Sequence, residues 1–258
     1  MVGRQVINDR FNFISTAKNQ PKNKKNLRGV FVTGTDTGIG KTTIACGLAW
    51  ILRKKGINVG IMKPFATGDK LHSRKFKSKD TAMLAEAANI CDADNLLNPS
   101  FFPIAASPLM ASDILKASIR KDEVLNSFDT LQTKYDFTIV EGIGGIMVPI
   151  TRNQMLGHFA KMMGLPLIIV SQSRVGSINH ILLTIKAAKD FGLELYGIIF
   201  NKMPKNASLV EKKTPEYVHH LTNIPIISII PHVAENRYKA VGSCLYKSIY
   251  VNNLCTNH

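Results

Sequence analysis

The strongest constraint on the fold is a series of short, almost continuously apolar runs, separated by amphipathic segments. The runs are rich in β-branched residues and cover 29–33, 58–62, 137–141, 165–171, 195–200 and 225–229. Such runs are typical of strands buried on both faces, and helical crossovers between them connect parallel strands. The sequence therefore predicts an α/β fold with a doubly wound, mostly parallel sheet and helices on both faces.

Helical periodicity fills the spaces between these runs. A helix is predicted over 41–54, where Gly56 ends it, and another over 177–190, where apolar residues recur at helical spacing. Further helical stretches are predicted near 79–89, 109–119 and 121–134. In a sheet of this kind, ligands bind beyond the carboxyl ends of the strands, so the residues that follow each strand are the candidates for function.

The charge of the chain is concentrated at its beginning. Residues 1–28 hold seven Lys or Arg and a single acid, Asp9, out of a formal net charge of +15 for all 258 residues. We predict a basic, disordered tail over 1–28, with a transit peptide as the alternative. A single domain over 29–240 and a C-terminal extension over 241–258 complete the predicted organisation.

Composition excludes several classes of protein. Hydrophobic residues make up 45% and charged residues 20%, which argues against a disordered or collagen-like chain. No apolar run approaches the roughly 18 residues that a transmembrane helix needs, and no secretory signal is expected. The four cysteines (Cys46, Cys91, Cys244 and Cys255) form no Cys-x-x-Cys pair. We therefore expect a reducing, cytoplasmic location, no membrane association and, since no nucleic-acid motif accompanies the charge, no nucleic-acid partner.

The segment Gly-Thr-Asp-Thr-Gly-Ile-Gly-Lys-Thr-Thr at 34–43 lies between the first strand and the first helix. It resembles a Walker A loop, in which small residues let backbone N–H groups approach phosphates. Lys41 is expected at the β/γ-phosphates, and the Thr42 hydroxyl is expected to ligate Mg²⁺. The usual spacing places the first glycine at position 35, where this chain has Thr35. An ordinary glycine-rich turn is the alternative to this P-loop NTPase-like interpretation.

Charged residues follow two other strands. Glu141 ends the run at 137–141 and precedes the glycines of Gly-Ile-Gly-Gly, which suits a carboxylate that faces Mg²⁺. Lys63 follows the run at 58–62, where a second cation can meet the γ-phosphate. The alternatives are a strand-end charge beside a tight turn for Glu141 and a surface lysine for Lys63.

Three further segments carry weaker signals. Asp80 begins a predicted helix, and the sequence alone favours a helix N-cap over a second Mg²⁺ carboxylate. Asn201, with Lys202 after it, follows a strand and either reads a base edge or forms a plain turn. Ser177 opens a helix whose N–H groups suit a carboxylate or phosphate, unless Ser177 is a simple N-cap.

Together these motifs resemble the dethiobiotin synthetase family of P-loop ligases over about residues 29–235. The shared elements are Gly-Thr-Asp-Thr-x-x-Gly-Lys-Thr, Lys-Pro-x-x-Thr-Gly, the Asp80 segment, Val-Glu-Gly-x-Gly-Gly and Gly-Ser-Ile-Asn-His, in family order. The resemblance implies an ATP- and Mg²⁺-dependent ligase of biotin biosynthesis. Such an enzyme forms the ureido ring of dethiobiotin from 7,8-diaminononanoate and CO₂, through a carbamate and a carbamic-phosphoric anhydride. It also implies a homodimer.

The resemblance assigns roles to individual residues. The catalytic residues are Lys63, Lys41 and Thr37. Mg²⁺ lies among Thr42, Asp80 and Glu141. The substrate is bound by Thr67, Ser177, Ile178 and Asn179. The nucleotide is bound by Gly38, Ile39, Gly40, Lys41, Thr42, Thr43, Asp80, Glu141, Gly142, Ile143, Gly144, Asn201, Lys202, Pro231, His232 and Val233.

The chain departs from the family pattern at two positions. Gly38 stands where many bacterial members carry an acid, and His232 replaces a bulkier apolar residue near the adenine. Two other classes remain as alternatives. One is a partition-type regulatory ATPase, whose signature lysine falls at the position of Asp36. The other is a non-catalytic, ligand-sensing domain of the same fold.

Overall fold

A computed structural model describes residues 27–68, 70–233 and 237–254 of the chain. The predicted disordered tail lies outside the described residues apart from Leu27 and Arg28, and so does Cys255. Within the described ranges, the strands are β1 (Gly29–Gly34), β2 (Val59–Met62), β3 (Phe65–Thr67), β4 (Ser100–Phe102), β5 (Phe137–Gly145), β6 (Pro149–Thr151), β7 (Gln154–Met155), β8 (Leu167–Gln172), β9 (Leu195–Met203) and β10 (Ile226–Pro231).

The helices alternate with these strands. They are α1 (Lys41–Lys54), α2 (Lys79–Ala88), α3 (Asp94–Leu97), α4 (Pro108–Leu115), α5 (Lys121–Lys134), α6 (Leu156–Met163), α7 (Ser177–Asp190), α8 (Leu209–Thr222), α9 (Tyr238–Tyr246) and α10 (Ile249–Asn253). In the described chain, no helix has both the length and the apolar character that crossing a membrane requires.

The central sheet has six strands in the order β2–β5–β1–β8–β9–β10, and all neighbouring pairs are parallel. These are the six runs that the sequence predicted as strands. Every residue of β1 and β2 is buried. Because successive residues point to opposite faces, both faces of the sheet are covered. The α/β, mostly parallel fold class is confirmed.

Several elements have no sequence prediction behind them. β3 pairs with β4, and β6 pairs with β7, in two small sheets beside the central one. Helix α9 packs so closely on α1 that a Cβ atom on Gly47 would lie 2.7 Å from Val241 Cγ1. The predicted boundary between residues 240 and 241 falls inside α9, and Val241 and Leu245 contribute to the core.

Strand register sets the position of the functional residues. Met62 of β2 pairs with Val140 of β5, so Lys63, the residue after β2, lies beside Glu141 of β5. On the other side of β5, Gly34 of β1 pairs with Gly145 at the same edge. The loop after β1 therefore begins beside the charged residues that follow β2 and lie in β5.

Candidate active site

The loop between β1 and α1 depends on two glycines in left-handed conformations, Gly38 (φ 73°) and Gly40 (φ 91°). A Cβ atom on Gly40 would lie 2.2 Å from Asn201 Nδ2, so only glycine fits there. Helix α1 begins at Lys41 with no side-chain cap and no acid in its first turn. A helix start of this kind presents backbone N–H groups and positive potential to an anion.

Lys41 folds back over this loop. Its Nζ donates to the backbone oxygen of Asp36 at 2.9 Å. Burial, together with the neighbouring Lys63, lowers the pKa of Lys41 to about 8. Without an anion nearby, the protonated form of Lys41 is therefore destabilised, and a bound phosphate would stabilise it.

Lys63 is the centre of a buried charge cluster. Its Nζ donates to Glu141 Oε1 at 2.6 Å and to the Gly142 carbonyl at 3.3 Å, and it lies 3.0 Å from Asp80 Oδ2. Burial opposes its charge, but Glu141 and Asp80 outweigh burial and raise the pKa of Lys63 above its usual value. Lys63 is therefore a permanent cation, and its interpretation as a surface lysine is wrong.

The two carboxylate oxygens of Glu141 have different surroundings. Oε1 accepts from Lys63 Nζ and, at 2.8 Å, from Thr42 Oγ1. Oε2 is buried and has no hydrogen-bond partner among the described residues. Burial raises the pKa of Glu141 against the opposing effect of Lys63, whereas Lys63 lowers the pKa of Asp80.

The oxygen donors at this point suit Mg²⁺. Thr42 supplies a hydroxyl, Asp80 and Glu141 supply carboxylates, and the unpaired Oε2 of Glu141 is an unused ligand atom. Mg²⁺ in phosphate sites takes one or two carboxylates and completes its octahedron with phosphates and water. Within the described ranges, no group of three or more His, Cys, Asp or Glu side chains is placed to hold a metal ion.

One cavity of about 290 Å³ unites most of the predicted site. Its walls include predicted residues from five segments of the chain, namely Thr37, Gly38, Gly40, Lys41, Thr42, Thr43, Lys63, Thr67, Asp80, Glu141, Ile143, Gly144 and Lys202. Three further wall residues were not predicted: Ala66, Lys79 and Met83. The position of Lys79 immediately before Asp80 is the signal that sequence reasoning overlooked.

Asn201 and Lys202, at the end of β9, hold the loop from the other side. Asn201 Nδ2 donates to the Ile39 carbonyl at 2.8 Å, and Lys202 Nζ donates to the Gly38 carbonyl at 2.6 Å. Lys202 has a left-handed backbone (φ 56°), which turns its side chain toward the loop. The interpretation of this segment as a plain strand-end turn is therefore wrong.

Besides Ile39, Gly142 and Asn201, which neighbour wall residues in the sequence, two groups of predicted residues do not line this cavity. The first is Pro231, His232 and Val233, where β10 ends and the His232 N–H donates to the Met203 carbonyl at 2.9 Å. The second is Ser177, Ile178 and Asn179 at the start of α7. Gly176 (φ 89°) is the N-cap of α7, and Ser177 Oγ donates to the Arg174 carbonyl at 2.7 Å. The alternative interpretation of Ser177 as the N-cap is wrong.

Asp80 also differs from its favoured interpretation. Ser78 is the N-cap of α2, and its hydroxyl accepts from the Thr81 N–H at 3.5 Å. Asp80 lies in the first turn, and its carboxylate turns to Lys63 instead. The preference for Asp80 as a cap is wrong because a second capping residue stands two positions earlier.

Asn98 is a buried residue of the site that sequence reasoning missed. Its Nδ2 donates to the Lys63 carbonyl at 2.6 Å, while the Lys63 N–H donates to the Leu97 carbonyl at 2.7 Å. The N–H and the carbonyl of Lys63 are thus bonded to the last residue of α3 and to the residue after it. These bonds fix the backbone from which the Lys63 side chain reaches Glu141.

Comparison with known proteins identifies the family. A family model described as an AAA domain matches residues 28–237. The ATP-dependent dethiobiotin synthetase BioD of Nitrosopumilus maritimus (strain SCM1) is 37% identical over 228 residues, which cover 88% of this chain and 99% of that protein. The chain belongs to the dethiobiotin synthetase family. The same-named protein of Bacillus subtilis (strain 168) is 36% identical over 208 residues, which cover 81% of this chain and 89% of that protein.

Family membership confirms the prediction of an ATP-dependent ligase in biotin biosynthesis. A solved structure, the MinC:MinD cell division protein complex of Aquifex aeolicus, has a TM-score of 0.52 and 16% identity, covering 88% of this chain and 94% of that chain. At this identity the likeness extends to the fold alone, which agrees with the P-loop NTPase-like prediction.

Proposed function

We propose that the chain closes the ureido ring of dethiobiotin from 7,8-diaminononanoate, CO₂ and ATP, with Mg²⁺, inside the cavity between α1, β2 and β5. The observation that carries this proposal is the buried cation Lys63, held between Glu141 and Asp80 in the same cavity as the loop lysine, Lys41. Two lysines beside a phosphate-binding loop suit the transfer of a phosphoryl group to an anionic acceptor.

In the proposed reaction, one amine of the diamine combines with CO₂ to give a carbamate and a proton. A carbamate oxygen attacks the γ-phosphorus of ATP, and ADP leaves. The second amine then attacks the carbonyl carbon of the mixed carbamic-phosphoric anhydride, phosphate leaves, and the ring closes. No covalent bond to the protein forms, so catalysis consists of positioning and charge neutralisation.

Lys63 is the proposed catalytic residue that stabilises the carbamate, the acceptor of the phosphoryl group. Its ammonium group remains charged throughout the physiological range because Glu141 and Asp80 raise its pKa. Lys63 is buried, and its carbonyl accepts a hydrogen bond from Asn98. The side chain therefore needs little reorganisation when negative charge develops on the carbamate and the transferring phosphoryl group. Thr67, on the same cavity wall, is proposed to contact the diamine, and Thr37 to border the phosphates.

Lys41 and the start of α1 are proposed to hold the β- and γ-phosphates, with Gly38 to Thr43 forming the loop. Thr42, Asp80 and Glu141 would hold Mg²⁺, which supplies charge neutralisation at the phosphates when bound. Asn201 and Lys202 border the same loop, Ile143 and Gly144 of β5 line the cavity beside it, and Gly142 is proposed to join them at the nucleotide. Pro231, His232 and Val233 are proposed to lie at the base.

The start of α7 is proposed to receive the substrate carboxylate in a homodimer. Ser177, Ile178 and Asn179 do not line the cavity of their own chain, and the adjacent Val175 is 87% exposed. A second copy that brings its α7 start to the diamine would complete the site. We expect this dimer in the cytoplasm, without a membrane or nucleic-acid partner.

The alternative of a non-catalytic sensing domain requires that the charged groups of catalysis be lost or separated. Instead Lys41, Lys63, Asp80 and Glu141 line a single cavity. The alternative of a partition-type ATPase requires a lysine where this chain has Asp36. The arrangement of charges therefore favours the ligase over both.

The test is release of ADP by the purified protein with ATP and Mg²⁺, with bicarbonate and 7,8-diaminononanoate each present or omitted. We expect release only when both are present. Lys189→Ala, at the far end of α7, is the matched control and should behave as the unmodified protein. Release of ADP without the diamine would instead support a regulatory ATPase, and nucleotide binding without any release would support a sensing domain.

A further inference from the structure

The loop between β3 and α2 brings a cluster of cations to the rim of the cavity. Residues 70–79, called here the basic loop, end at the first residue of α2 and contain five Lys or Arg, while the one acid of the connection, Asp69, directly precedes them. The five cations are Lys70, Arg74, Lys75, Lys77 and Lys79. Thr67 just before the loop, Lys79 within it and Asp80 just after it all line the cavity. The basic loop therefore begins and ends at the cavity wall.

The basic loop has a defined shape rather than an extended one. Phe76 is buried in the core and anchors its middle. The Ser73 hydroxyl accepts from the Phe76 N–H at 3.0 Å, and the His72 N–H donates to the Lys77 carbonyl at 2.9 Å. These contacts form a tight turn whose tip presents exposed cationic side chains to solvent.

Nearby carboxylates offset only part of the charge of the basic loop, since Asp69 precedes it in the sequence and Asp94 lies near Lys77. Asp80, which follows it, is already paired with Lys63. Arg74 forms no ion pair with any described residue, and Lys75 lies over the Phe76 ring, with its Nζ 5.1 Å from the ring centroid. At an ionic strength of about 0.1 M, exposed charges act over a Debye length of about 10 Å. Lys79 lines the cavity, and Arg74 and Lys75 precede it by five and four residues, so the basic loop carries its positive charge beside the cavity mouth.

We propose that the basic loop steers the anionic nucleotide into the cavity and raises its association rate without holding it afterwards. The proposal rests on the nucleotide site of the proposed function. A nucleoside triphosphate carries several negative charges, and clefts lined by charge of one sign raise on-rates by roughly 10- to 1000-fold. The phosphate contacts that hold the nucleotide belong to α1 and its loop, so steering and holding are carried by different segments.

The test compares two double variants that each remove two positive charges. Arg74→Gln with Lys75→Gln changes the basic loop. Lys54→Gln with Lys189→Gln is the matched control, because both residues lie at the carboxyl ends of helices, at the edge of the sheet opposite the cavity. The control also matches the ring contact, since Lys54 lies over the Trp50 ring as Lys75 lies over Phe76. Thermal melting confirms that both variants fold.

Stopped-flow mixing with a fluorescent ATP analogue measures association and dissociation separately. In the loop variant we expect association to slow about five-fold at low ionic strength, dissociation to stay unchanged, and the difference to vanish near 0.5 M salt. The control variant should associate at nearly the rate of the unmodified protein.

Three results would overturn the proposal. Equal slowing in the control variant would assign the effect to overall charge. Faster dissociation at an unchanged association rate would make the loop a binding contact instead of a guide. Slowing that persists at high salt would exclude electrostatics. Because nucleotide association needs no diamine, a protein that turns over no diamine would contradict the proposed function and leave the steering result intact.

Discussion

Helices α1 and α7 begin in the same way but in different surroundings. Both follow neighbouring parallel strands, β1 and β8, and both have a left-handed glycine as N-cap with no side-chain cap. Gly40 lies against Asn201, whereas Gly176 has open space where a Cβ atom would be. The local sequence therefore forms two helix starts that suit an anion, and packing encloses only the first.

The surrounding charges separate the two helix starts further. Lys63, Glu141 and Asp80 lie in the cavity that α1 opens onto. Just before α7, the Arg174 guanidinium lies 3.9 Å from Asp36 Oδ2, and Val175 is exposed. A helix start alone does not identify a reaction centre; the residues contributed by other strands do.

Substitution of Lys63, in the cavity at the start of α1, should have the largest effect on turnover of all the variants. Lys63→Ala is expected to lower the turnover number by roughly 10²- to 10³-fold with little change in nucleotide affinity, because the charge is used mainly in the transition state. Steady-state ADP release and nucleotide titration on the same sample measure both quantities. Lys63→Gln keeps most of the side-chain volume and therefore distinguishes loss of the charge from a folding defect. Unchanged turnover in both variants would remove Lys63 from the mechanism.

A pair of glycine variants tests the comparison directly. Gly40→Ala places a Cβ atom 2.2 Å from Asn201 Nδ2 in a left-handed backbone, so we expect nucleotide affinity to fall by about 100-fold. Gly176→Ala meets no atom within 4 Å, so only its backbone strain, about 1 kcal/mol, should appear in the melting temperature. Equilibrium nucleotide binding should be unaffected by Gly176→Ala. Equal loss of affinity in both variants would contradict the separation of roles.

Neutralising Glu141 tests the metal assignment beside α1. The Oε2 atom of the Glu141 carboxylate has no hydrogen-bond partner among the described residues. Glu141→Gln puts an uncharged amide in place of this carboxylate, so about ten-fold more Mg²⁺ should be needed for half-maximal activity. Activity is titrated with Mg²⁺ at fixed ATP. Glu123→Gln, on the exposed start of α5, is the control and should not alter the titration. An unaltered titration for Glu141→Gln would indicate a structural carboxylate.

Nucleotide affinity should also depend on pH through Lys41. Burial, together with Lys63, lowers the pKa of Lys41 to about 8, so its charge is present below that pH and is lost above it. Nucleotide affinity is therefore expected to be constant below about pH 7 and to weaken by up to ten-fold per pH unit above about pH 8. Calorimetric titration across this range measures the slope. Constant affinity up to about pH 9 would show that Lys41 stays charged in the free protein.

The sequence predicts the strands of the sheet well because each is a continuous apolar run buried on both faces. It predicts the bounds of α1, which Gly56 ends, and of α7, where apolar residues recur at helical spacing. It does not predict β3, β4, β6 and β7, which have two or three residues each and are too short to show a periodic pattern. It also does not predict α3, α6 and α8 to α10.

At the site, motifs identify residue types but not contacts. The bond between Lys63 and Glu141 joins residues 78 positions apart and follows from the register of β2 against β5. The local conformational preferences of the residues do not determine how these two strands align. Asp80 shows the same limit, because local capping rules favour it as a cap while Ser78 competes for the role. Asn98 has no motif at all, and only the fold reveals its bond to Lys63.

The most direct test of the account follows the carbon that enters the ring. The purified protein is incubated with carbon-13 bicarbonate, 7,8-diaminononanoate, ATP and Mg²⁺, and the product is analysed by mass spectrometry alongside ADP. We expect dethiobiotin heavier by the mass of the label, with one ADP formed for each molecule of product. ADP formed without labelled dethiobiotin would contradict the account.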